Sequence, residues 1–144
     1  MTRSRAFLLA TAAAALLLTS ACSDGPNDPV VRETDVVGAY HATSFTLTFG
    51  GPTENLLAAG AILDVTLADD HTTSGRLAMP TEDPRGEEIV EDLGGSWRLS
   101  RDTVYFTGAA DTFIHNVPFV VGNGTLSADA TSAGERLRVT LTKE

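Results

Sequence analysis

Three histidines among nineteen acidic side chains could do two kinds of chemistry, metal binding and acid–base transfer. A shared metal needs two donors on one face, as in His-x-His or His-x-x-x-His. His41, His71 and His115 are too widely separated for either arrangement. Asp69-Asp70-His71 joins oxygen and nitrogen donors, but it lies between two alternating apolar segments and reads as a solvated turn. Asp111 and His115 stand four apart and would share a face of a helix. A hydrogen-bonded pair, or two unrelated surface groups, is the expectation there. The acidic run from Glu82 to Asp92 lacks the Asp-x-Asp-x-Asp-Gly order of a calcium loop and reads as a solvated face. No serine lies in Gly-x-Ser-x-Gly, and neither a phosphate-cradling glycine loop nor a dinucleotide fingerprint is present. Asn123-Gly124-Thr125 matches a glycosylation acceptor, but its place in a tight turn makes the match accidental. These residues predict no catalytic group, no metal and no cofactor.

Charge narrows the partners. Residues 22–144 hold all 19 acids but only 8 of the 10 bases, a net charge of −11 against −9 for the whole chain. Such a surface repels phosphate backbones, because nucleic-acid binding draws on Lys and Arg to release counterions. Nucleic acid is excluded as a partner, and so is adhesion to anionic headgroups through a basic patch. The single cysteine, Cys22, allows no internal disulfide, so an apolar core must hold the fold.

The elements that carry these residues alternate with a period of two. Phe45, Leu47 and Phe49 share one face, as do Leu63, Val65 and Leu67 in the segment from Ala61. Thr73–Met79, Gly95–Ser100 (Trp97 and Leu99 inward) and Thr103–Thr107 (Val104 and Phe106 inward) continue the pattern. Phe119–Val121 and Thr125–Ala128 flank Gly122-Asn123-Gly124, a hairpin signal. Arg136–Leu141 closes the series with Leu137, Val139 and Leu141 on one face. Glu54–Ala59 reads as a helical turn or an extended crossing, and Gly108–His115 has room for one helical turn. About eight short strands joined by tight turns predict an all-β, antiparallel domain over residues 36–144. A sandwich and an up-and-down barrel both bury such strands; the short turns favour the barrel, which also removes its edges.

Before the domain, Ser23–Pro29 is polar and rich in turn formers, and residues 22–35 read as a flexible tether. Met1–Ala21 has a basic start with Arg3 and Arg5, then an apolar run of about 16 residues to Ala21, short of a membrane span. It reads as a secretory signal. Its end, Leu18-Thr19-Ser20-Ala21-Cys22, resembles the lipobox of bacterial lipoproteins, with Thr19 where Leu is usual. The resemblance implies a signal peptide over 1–21, cut before Cys22, with acyl chains on the Cys22 thiol and its new amine. The expected location is then the cell membrane or outer membrane, lipid-anchored and facing the periplasm or exterior. Ser23 after the cysteine permits outer-membrane delivery.

The opening Gly38-Ala39-Tyr40 resembles the Gly-x-Trp start of lipocalin-like barrels, with Tyr40 in the aromatic place. Gly95-Ser96-Trp97 resembles the glycine–aromatic unit of small bacterial lipocalin-like lipoproteins. That family implies an up-and-down barrel and favours the first of two functions that stay open. In one, a small apolar molecule sits in the barrel mouth, with Tyr40, Trp97 and Phe106 as candidate lining residues. In the other, the barrel is solid and serves as a structural or protein-interaction module of the envelope, protease inhibition being one form.

Overall fold

A computed structural model describes residues 30–80, 88–108 and 113–144. The signal segment and Cys22 lie outside the described residues, as do Asp111 and the acidic residues Glu82, Asp83 and Glu87.

The chain starts with a one-turn helix, α1 (Glu33–Val36), followed by β1 (Gly38–Phe49), β2 (Thr53–Asn55), β3 (Ile62–Leu67) and β4 (Thr72–Met79). Next come β5 (Ile89–Asp92), β6 (Gly95–Ser100) and β7 (Thr103–Gly108). A 3-10 turn, Phe113–Asn116, leads to β8 (Phe119–Val121), β9 (Thr125–Ser132) and β10 (Glu135–Lys143). Every pairing is antiparallel, in the order β1-β3-β4-β6-β7-β8-β9-β10. β10 returns to β1 from Tyr40↔Lys143 to Phe49↔Glu135. This is a closed, eight-stranded, up-and-down barrel. β2 and β5 are extra pieces paired to the far halves of β1 and β4.

Closure follows from the alternation. Leu63, Val65 and Leu67 of β3, Trp97 of β6, Val104 and Phe106 of β7 and Val139 and Leu141 of β10 are buried inside. Phe106 and Phe119 meet edge-on, with ring centroids 5.3 Å apart at 84°. An eight-stranded barrel is only just wide enough for its own side chains, and this one fills its lower part with them. β8 is short and meets β7 only at Thr103↔Val120 and Val104↔Phe119. Beyond it, buried Ile114 and Val117 fill the interior beside the upper half of β7.

The two ends differ. At one end lie α1 and three tight turns, Ala68–His71, Arg101–Asp102 and Gly122–Gly124. Fully buried Val36 plugs this end, and the helix that carries it brings Glu33–Asp35, the last part of the expected tether, into the folded domain. At the other end strand β1 turns into β2, the chain crosses at Leu56–Gly60, and the longer connections after β4 and β7 begin. Ile89–Asp92, within the acidic run read as loop, is a strand here because it pairs with Arg76–Met79.

On the outer face of β9 and β10, Asp129 accepts from Arg136 at 2.8 and 2.6 Å and from Arg138 at 3.1 Å. The Arg136 hydrogen bonds, with help from Arg138, hold its carboxyl well below the usual carboxylate range, down to about 2. A depressed folded-state value stabilises the fold above the ordinary value of 3.8, and that contribution is lost as pH falls towards about 2. We expect Asp129→Asn to flatten the acid limb of the melting-temperature profile across this window, while lowering the melting point slightly at neutral pH. Parallel acid limbs in the two proteins would refute the assignment.

Candidate functional site

The open end of the barrel holds a cavity of about 330 Å³. Phe45 and Leu47 of β1, Met79 of β4, Ala130 and Ser132 of β9 and Glu135 and Leu137 of β10 line it, with Leu56 and Val117 from the connections. The volume is in the range of small-molecule sites, and the lining is mostly aliphatic, as such sites require.

The register arranges this lining in rows. Deepest is Phe45↔Val139↔Ala128, with Phe45 1% exposed as the floor. Above it lies Leu47↔Leu137↔Ala130, and the rim row is Phe49↔Glu135↔Ser132. Leu47 also faces Glu54 across β2. Four residues of strand separate rim and floor, about 13 Å of depth. Phe49 is 68% exposed and Ile89 is 47% exposed, both at this end. On the outer face beside it, Ile62↔Ala78↔Val90 forms an apolar row in which Ala78 is buried.

The sequence-predicted lining residues lie elsewhere. Tyr40 is buried near the closed end, and its hydroxyl donates to the Val36 carbonyl at 2.7 Å. Burial pushes the Tyr40 hydroxyl pKa up, which keeps it a neutral donor. Trp97 donates its indole N–H to the Ala68 carbonyl at 2.8 Å. Both aromatic rings therefore tie the closing turns to the barrel wall. Phe106 borders a separate cavity of about 20 Å³ with Thr73, Leu93 and His115, room for one water and not for a ligand. None of the three borders the mouth cavity.

The histidines are equally dispersed. His71 stacks on Trp97 with centroids 5.1 Å apart and meets Glu33 of α1 at 3.1 Å. Within the same turn, Asp70 accepts from the Thr72 hydroxyl and backbone N–H, and the side-chain bond leads in lowering its pKa. His115 accepts the Gly108 N–H through Nδ1 at 3.0 Å, which places its proton on Nε2 when neutral. His41 lies 3.9 Å from Glu144. Among the described residues no three His, Cys, Asp or Glu side chains gather as a metal site.

Sequence reading missed the mouth because its lining comes from six separate segments. Alternation marks which side chains point inward, and it is the same whether the space between them is filled or open. The one available signal was the cluster of longer connections at a single end, since binding sites favour loops on a rigid scaffold. No family model, curated protein or solved structure matches this chain.

Proposed function

We propose that the protein is a membrane-anchored cell-envelope lipoprotein that binds a small apolar ligand in the open mouth of its barrel. The observation that carries the reading is the aliphatic cavity of about 330 Å³ above the buried Phe45 floor. Anchoring rests on the lipobox-like Ser20-Ala21-Cys22, and the ligand site rests on the mouth. Each methylene taken from water contributes about 0.8 kcal/mol, so a chain of about eight gives affinities on the order of tens of micromolar.

Native mass spectrometry of Ser23–Glu144, which contains the whole closed barrel, tests this. The expected result is an adduct of a few hundred daltons after incubation with envelope lipid extract, lost on denaturation. Ala130→Phe, which fills the mouth, should weaken retention at least tenfold and leave the fold intact. Val90→Asp, on the outer face, should not. A bare mass throughout would overturn the carrier reading. The exposed Phe49, Ile62, Ile89 and Val90 at the same end favour a second reading, an interaction module docking an envelope protein there.

A further inference from the structure

The mouth is apolar in its wall and acidic at its rim, and this points to the charge of what it holds. Among the described residues, Glu135 is the one charged residue lining the cavity. It stands in the rim row between Phe49 and Ser132, one row above Leu47 and Leu137. Glu54, on the opposite side of β1, lies level with Leu47. Glu54 and Glu135 therefore flank the same stretch of β1. Neither carboxylate forms an ion pair among the described residues. The neighbouring cation, Arg136, is committed to Asp129 on the outer face. Glu91 at this end adds to the same negative field.

Resting on the reading of the mouth as a ligand site, we propose that its ligand is a single-chain amphiphile with a cationic head. The alkyl chain lies along Leu47, Leu137 and Ala130 towards Phe45, and the ammonium or amidinium head meets Glu135 and Ser132 at the rim. A fatty-acid anion of equal length would bring a third negative charge to two carboxylates that form no ion pair among the described residues. Head-group attraction at an exposed rim is modest and screened by salt, so it sets selectivity while the chain sets affinity.

Calorimetric titration of Ser23–Glu144 with decyltrimethylammonium, decanol and decanoate, each below its micelle concentration, separates these contributions. At low salt the cation is expected to bind about tenfold tighter than the anion, with the alcohol between them. The gap should shrink at high salt. E135Q should reduce it to about threefold. Equal binding of all three, or tighter binding of decanoate, would overturn the cationic head and leave the apolar mouth standing. Failure of all three to bind would overturn the mouth as a ligand site.

Discussion

Gly75→Ala is expected to lower the melting temperature by about 12–24 °C, or to prevent folding, as read by circular dichroism or scanning fluorimetry. Gly75 sits in the middle of β4 with φ of +148°, where L side chains are rarely found. A methyl group there would overlap the Asp64 carbonyl oxygen and come within 2.8 Å of the Val65 Cα. Both obstacles are backbone of β3, at the Val65↔Gly75 pair, so no side chain can swing aside to make room. Relief requires pushing β3 and β4 apart between Leu63 and Leu67, whose side chains are almost wholly buried. Backbone strain and the broken ladder together cost about 3 kcal/mol or more, a large part of the 5–15 kcal/mol typical of a whole domain. Gly51→Ala is the control. The added methyl would find only the Phe49 carbonyl, at 3.6 Å, and the melting point should stay within about 2 °C. A Gly75→Ala protein that melted with wild type would show that β3 and β4 do not approach this closely.

The barrel was legible because most of its staves alternate over part of their length, although β1 shifts register between Ala42 and Ser44 and β4 buries the adjacent Leu77 and Ala78. Gly95–Ser100 and Phe119–Val121 match their expected bounds, β3, β4 and β7 differ by one residue at an end and β10 by one and two at its ends, while β1 starts seven residues before Phe45 and β9 runs four past Ala128. Frayed ends are where alternation has least to say, since a rim position can be polar or apolar without cost. Phe49 shows this. Its spacing with Phe45 and Leu47 marks it as inward, and it is inward, yet it stands exposed at the rim. The short pieces escaped notice for a different reason. β2 and β5 are strands only through their partners, Thr46–Thr48 across a short turn and Arg76–Met79 across a longer connection. Helix α1 is a single turn held by Tyr40, by the Lys143 ammonium donating to the Asp35 carbonyl at 3.0 Å, and by Glu33 meeting His71. Its local signal is slight, the Asp35 carboxylate accepting the Arg32 N–H at 2.9 Å, and tertiary contacts do the rest. The glycine–aromatic units pointed to the correct barrel but to its closed end. An aromatic ring with a polar tip suits a place where a backbone carbonyl must be satisfied, as Val36 and Ala68 are, more than it suits an oily mouth.

Cys22→Ser is expected to move the protein from the membrane fraction to the soluble fraction and to abolish incorporation of labelled palmitate. The reasoning is energetic. A single myristoyl chain binds a bilayer only marginally, with a constant of about 10⁴ M⁻¹, and two or three chains make attachment stable. A net charge of −11 gives no attraction to anionic headgroups. Among the described residues no helix is long and apolar enough to cross a membrane. High-salt washing should therefore leave the wild type on the membrane, because its attachment is apolar. If Cys22→Ser still sediments and its mass includes Met1–Ala21, the apolar run is an uncleaved anchor and the lipobox reading fails. The wild-type outcome also orients the binding site. The described chain begins at Val30, eight residues after Cys22, a reach of at most about 29 Å, and it joins the barrel at the closed end through α1. An acyl anchor on Cys22 holds that end towards the bilayer and leaves the mouth at the far end. A ligand would then be taken from the aqueous side or from a facing protein, not from the membrane that carries the anchor. A fluorophore at Phe49→Cys in the lipidated protein should accordingly escape quenching by spin-labelled lipid, while one at Arg101→Cys in the closed end should be quenched.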